Sequence, residues 1–113
     1  MGLIDDKKRD INAIEQEQAV LVGLITPQQP ETQTMEYLDE LEFLAHTAGA
    51  ETVRRFVQRI DAPNSTSYVG KGKLEEIVAY VDEHEVSLII FDDDLSPKQI
   101  AFIENLPGVR ART

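Results

Sequence analysis

Cysteine is missing from this chain of 113 residues. Disulfides and thiolate metal sites are therefore excluded, and the composition suits a reducing, cytoplasmic setting. No apolar run approaches the roughly 20 residues that cross a bilayer. No apolar stretch of signal-peptide type follows Lys7, Lys8 and Arg9. Basic residues are scarce, with 11 Lys and Arg against 21 Asp and Glu and a formal net charge of -10. A field of that sign opposes nucleic-acid binding over the surface as a whole. What remains is one domain's worth of ordinary soluble sequence, expected to be a monomer with no membrane partner.

The few bases are not evenly spread. Residues 1–50 hold ten acids and three bases, and residues 74–113 hold nine acids and three bases. Between them, residues 51–73 carry Arg54, Arg55, Arg59, Lys71 and Lys73 against Glu51 and Asp61. That segment is a basic island in an acidic chain. A solvated surface is the simplest reading of such a cluster, and a local anion contact is the sharper one.

Residues 1–18 read as a polar extension and 19–113 as the folded domain. Ala19 to Ile25 is a continuous apolar run, too short for a typical helix and suited to a strand buried on both faces. Met35 to Ala48 predicts a helix with Thr34 as N-cap, Gly49 as terminator and a stripe of Leu38, Leu41, Leu44, Ala45 and Ala48. Glu51 to Ile60 predicts a strand, since Val, Phe and Ile favour one just after a helix has ended. Gly72 is expected to open a second helix with Leu74, Ile77, Val78 and Val81 on one side. Val86 to Phe91 is the next buried strand. Ser96, Pro97 and Gln99 give the last helix a cap, a first-turn proline and a capping box, with Leu95 and Ile100 as staple. Val109 to Thr113 looks like another strand. The fold class is α/β: a small three-layer parallel sheet of about four strands in the order β-α-β-α-β-α-β, with right-handed crossovers.

Ligands of such sheets bind beyond the carboxyl ends of the strands, where 26–34, 61–73 and 92–96 are expected to meet. Tyr68-Val69-Gly70-Lys71-Gly72-Lys73 is the most distinctive segment there. Two glycines before a helix let backbone N–H groups approach an anion, and two lysines add charge. The spacing is neither that of a P-loop nor that of a dinucleotide fingerprint, and a tight turn needing positive φ explains the glycines equally well. Asp92-Asp93-Asp94 at a strand end is a weaker candidate for a hard cation. With Leu95-Ser96-Pro97 after it, the run superficially resembles a receiver-domain phosphorylation site, but the first strand ends without the acids such a site needs. Turn and cap roles explain these aspartates more simply. His46 and His84 have no partner at ligand spacing, and the hydroxyls of 64–67 have no base nearby in sequence. No catalytic and no metal-binding residue is assigned.

Three runs make a more specific combination: LDELEFLAHTAG at 38–49, VQRIDAPNSTSYVGKGKLEEI at 57–77 and SLIIFDDDLSPKQI at 87–100. Together they resemble the N-terminal domain of HflX-type GTPases over nearly all of the chain after about residue 19. The resemblance implies a parallel α/β subdomain, followed in the family by a helical subdomain and a GTPase domain, both absent from this sequence. It also implies association with the large ribosomal subunit and its RNA, and GTP-dependent dissociation of stalled ribosomes. Nucleotide binding outside the GTPase domain is a second implication. GTP and magnesium belong to the absent GTPase domain, and no cofactor is expected in these residues. The chain departs from the family pattern at Arg110-Ala111-Arg112-Thr113. The expected phosphate- or RNA-binding residues are Gly70, Lys71, Gly72 and Lys73, with Arg55 and Arg59 beside them.

Overall fold

A computed structural model describes residues 17–106 and the backbone pairing of 111–112. The polar extension expected over 1–18 thus lies almost wholly outside the described residues, as do 107–110 and 113. Strand β1 spans Glu17–Ile25, helix α1 Glu31–Thr47, strand β2 Ala50–Arg59 and helix α2 Lys71–His84. Strand β3 follows at Leu88–Phe91, helix α3 at Pro97–Glu104 and a two-residue strand β4 at Ala111–Arg112. β1 pairs in parallel with β2 on one side and β3 on the other, and β4 pairs with the far side of β3. Of the last strand expected over 109–113, the described pairing covers those two residues.

The apolar run of β1 makes it central. Ala19 to Ile25 are all buried, because both neighbouring strands and both helical layers enclose them. On one face, Val20, Val22, Leu24, Phe56, Ile89 and Phe91 pack with Ile77 and Val81 of α2 and Ile103 of α3. On the other face α1 stands alone among the described residues, with Ala45 against Ala19, Ala50 and Leu88. It approaches β1 closely at Gly23, where a Cβ would lie 3.0 Å from side-chain atoms of both Leu38 and Thr34. The right-handed crossovers expected of parallel strands give this layering: β1 to β2 passes over one face, while β2 to β3 passes over the other.

Several boundaries differ from expectation. α1 begins at Glu31, four residues before Met35, directly after Pro30, and no side chain caps it. Thr34 is not its cap. Inside the first turn, the buried Thr34 hydroxyl donates to the Leu24 carbonyl at 2.7 Å and ties the helix to β1. Gly49 does end α1, at φ 94°, a conformation that glycine adopts without strain. The expected α1 stripe is only partly used: Leu38 and Ala45 are buried, but Leu44 is 52% exposed, with no second helix beside α1 among the described residues. α2 begins at Lys71 with Gly70 as N-cap, one residue before Gly72. It ends at Glu85 in the left-handed region, with Val86 N–H closing onto Val81 O, which delays β3 to Leu88. α3 starts as expected. Ser96 Oγ accepts from Gln99 N, Gln99 Oε1 accepts from Ser96 N, and Pro97 is the first helical residue. A register shift between Ala19 and Val20 leaves Val53 without an opposite number on β1.

Candidate functional site

The loops at the carboxyl ends of the strands do meet, and Asp92 joins them. Its carboxylate accepts from Leu24 N at 3.1 Å, from Gln29 Nε2 at 2.8 Å and from the Tyr68 hydroxyl. Gln29 also donates to the Leu24 carbonyl. Gln99, besides capping α3, donates through Nε2 to Asn64 O at 2.7 Å. A carboxylate held by three donors is a clasp between distant segments, a role different from the turn or cap expected of Asp92. Asp93 Oδ1 accepts from Asp94 N, as turn aspartates do. Among the described residues, no group of three or more His, Asp or Glu side chains is placed to hold a metal ion.

The β2–α2 loop is shaped by its own polar side chains. Asn64 Oδ1 accepts from Thr66 N and Ser67 N, and Asn64 and Tyr68 exchange backbone hydrogen bonds. Val69 N–H returns to Ser67 O across Tyr68, whose φ is 69°. That conformation is strained for a residue with a side chain, at a cost of about 1–3 kcal/mol. The Tyr68 ring compensates by packing edge-on to Phe91 at 5.3 Å and by giving its hydroxyl to Asp92. Burial raises the Tyr68 pKa well above the ordinary tyrosine value, and Asp92 raises it further.

The glycines at the start of α2 do not serve positive φ. Gly70 is extended at φ -67°, and its N–H donates to Gln58 Oε1 at 2.8 Å. A Cβ there would lie 2.9 Å from Nε2 of Gln58, the flexible end of that side chain, which would have to shift to admit it. Around Gly72 there is open space. The N–H groups of a helix's first turn have no intrahelical partner, and they open here toward solvent beside the exposed Lys71. Lys71 has no ion-pair partner among the described residues, whereas Lys73 reaches Glu76 at 3.1 Å.

The basic island is divided by the sheet. Arg55 and Arg59 share the α1 side, as strand alternation predicts, and Arg54 lies on the α2 side. Arg55 is paired with Asp39 at 2.8 Å and Glu42 at 2.9 Å, and Arg59 with Glu31 at 3.0 Å. Partial burial works against the Arg55 charge, but the two carboxylates outweigh it and raise its pKa. Arg54 lies over the rings of Phe56 and Tyr80 at 4.7 and 5.1 Å and contacts Glu76 at 3.7 Å. Gly70, Lys71, Gly72 and Lys73 thus form one group, and Arg55 and Arg59 another on the opposite face. Sequence reasoning missed Gln58 and Gln29, and it assigned Gln99 to the capping box without its second bond to Asn64 O across the loops. Glutamine has no periodicity that would have marked them.

Comparison with known proteins matches residues 35–111 to a family described as "GTP-binding GTPase N-terminal". A protein of Flavobacterium psychrophilum named GTPase HflX is 51% identical over 83 residues, covering 74% of this chain and 20% of that protein. The GTPase HflX of Caldanaerobacter subterraneus is 39% identical over 98 residues, 87% of this chain and 22% of that protein. The one from Escherichia coli is 38% identical over 90 residues, 80% of this chain and 20% of that protein. The chain therefore spans about a fifth of the length of these relatives.

Proposed function

Since the chain belongs to the HflX GTPase family, as its N-terminal domain, we propose that it positions such a GTPase on the large ribosomal subunit through the start of α2. The observation that carries this reading is Lys71: exposed, first in the helix, without an ion-pair partner among the described residues, and beside the open backbone at Gly72. A cation and unpaired N–H groups converge there on the space an RNA phosphate would fill. Arg55 and Arg59 are already neutralised by α1 carboxylates, so they contribute less. In a chain of net charge -10 the contact must be local, within a Debye length of about 8 Å at physiological salt.

In this reading the domain binds and does not hydrolyse. GTP and magnesium act in a GTPase domain outside these residues, in the cytoplasm, and the chain works as a monomer with 19–113 as its folded unit. The test is Lys71→Glu with Lys73→Glu, assayed for binding to large subunits at several salt concentrations. Affinity should fall at least about tenfold, with a weaker salt dependence than the parent and an unchanged melting temperature. Parent-like binding by the folded double variant would show the loop to be structural.

A second reading is a phosphate- or nucleotide-binding loop at Gly70–Lys73, favoured by the open space over Gly72. Free nucleotide titrated into the chain separates the two. Shifts at the Lys71–Lys73 amides at micromolar concentration support this reading, and their absence leaves the ribosomal one.

A further inference from the structure

β2 forms the edge of the sheet among the described residues. Its inward side can be assigned, because Ile60 N–H donates to Ile25 O of β1. In a strand, one residue's N–H and C=O point to the same side and the next residue's to the other. Phe56 and Gln58 therefore face β1, and Arg55, Val57 and Arg59 present their backbone groups outward. Long charged side chains usually guard such an edge. Here both arginines are drawn aside, Arg55 to Asp39 and Glu42 and Arg59 to Glu31, all on α1.

Next to this edge lies a groove of roughly 530 Å³ between α1 and β2, lined by Asp39, Glu42, Phe43, His46, Glu51 and Thr52 among others. Phe43 is 65% exposed. The Thr52 hydroxyl oxygen is buried and has no hydrogen-bond partner. α1 itself carries Glu31, Glu36, Asp39, Glu40 and Glu42 and no lysine or arginine. The wall of the groove carries Asp39, Glu42 and Glu51 against Arg55, so it stays negative after Arg55 is paired.

We propose that β2 is a docking edge for an extended, cationic peptide segment of a protein partner. The segment adds as a strand beside β2, hydrogen-bonding to the backbone of Arg55, Val57 and Arg59. Backbone pairing supplies the affinity of such an addition, and the pockets for alternate side chains supply its specificity. Lysine or arginine side chains of the segment lie toward Glu42 and Glu51, and an apolar one covers Phe43. The charge of the groove excludes RNA here. The surface is also distinct from the start of α2, which lies on the other side of the sheet.

The experiment titrates the chain with a short synthetic peptide of alternating lysine and valine. A lysine–proline peptide of the same charge serves as control, since it cannot pair as a strand. Amide exchange of Arg55, Val57 and Arg59 is followed by NMR. The lysine–valine peptide should slow exchange at those three amides and bind at least about tenfold more tightly than the control. Val57→Pro removes an outward donor and should abolish the difference. Glu51→Lys, which leaves the strand intact, should weaken binding severalfold. If Val57→Pro fails to fold, Glu51→Lys and the exchange pattern decide the matter. Equal binding of the two peptides, or binding with no change at the three amides, overturns the proposal, as does no binding at millimolar peptide.

Discussion

On one face of the sheet, Ile77 and Val81 of α2 and Ile103 of α3 close over the strands, and each is about 1% exposed. On the other, α1 alone makes the contact among the described residues, and Tyr37, Phe43 and Leu44 remain 38%, 65% and 52% exposed. Both helical faces are written in the same three- and four-residue periodicity. What separates them is the number of neighbours. Two adjacent helices exclude water from the strip between them, whereas a single helix buries only its line of closest approach. Charge follows the same division. The thin side holds Arg55 and Arg59 in ion pairs across its surface, and the thick side has Arg54 laid flat on aromatic rings.

The largest test of this contrast is Ile77→Ala on the thick side. It leaves a cavity inside a closed core and should cost about 2–5 kcal/mol in urea unfolding. A loss under about 1 kcal/mol would mean that α2 packs loosely and that the two faces are alike.

Tyr68→Phe comes next. It removes a hydrogen bond to the Asp92 carboxylate and should cost about 1.5–3 kcal/mol. The same variant carries a pH signature. Tyr68 keeps its proton more tightly in the folded state than in the unfolded one. Its contribution is therefore complete below the unfolded pKa of about 10 and is lost as pH rises above it. Parent stability should fall more steeply than that of Tyr68→Phe above that pH, as followed by alkaline denaturation.

The smallest expected change is at Leu44→Ala on the thin side, within about 0.5 kcal/mol, since that side chain is already half in water. A cost above 1 kcal/mol would show that something covers α1 in solution.

Much of the fold was legible in the residues. A short, unbroken apolar run can be satisfied only between two strands and two layers, and β1 is that. Ser96, Pro97 and Gln99 fix the start of α3 by local chemistry alone. The start of α1 was misread because Thr34 fits the pattern of a cap. Its hydroxyl instead satisfies a carbonyl on a neighbouring strand, a partner that adjacent sequence cannot reveal. At the candidate site, the motif from Tyr68 to Lys73 is visible, and the contact made by its first glycine is not. Gly70 answers to Gln58, twelve positions away, across a loop. The clustering of basic residues in sequence did not survive folding as one patch, because alternation along β2 sends neighbours to opposite faces.

The clasp at Asp92 also bears on the order in which the chain assembles. β1, α1 and β2 are contiguous, so their pairing closes only short loops. Asp92, by contrast, meets Leu24 across 68 residues and Gln29 across 63. Entropy delays contacts of such separation until nearby elements have condensed. The platform of loops that would meet a partner is therefore expected to form late, together with the β1–β3 pairing that spans a similar separation. Folding kinetics of Tyr68→Phe should accordingly show the lost stability almost entirely in a faster unfolding rate, with a φ-value near zero. A surface that completes itself late is one whose closure a bound partner would favour, which ties its affinity to the stability of the clasp.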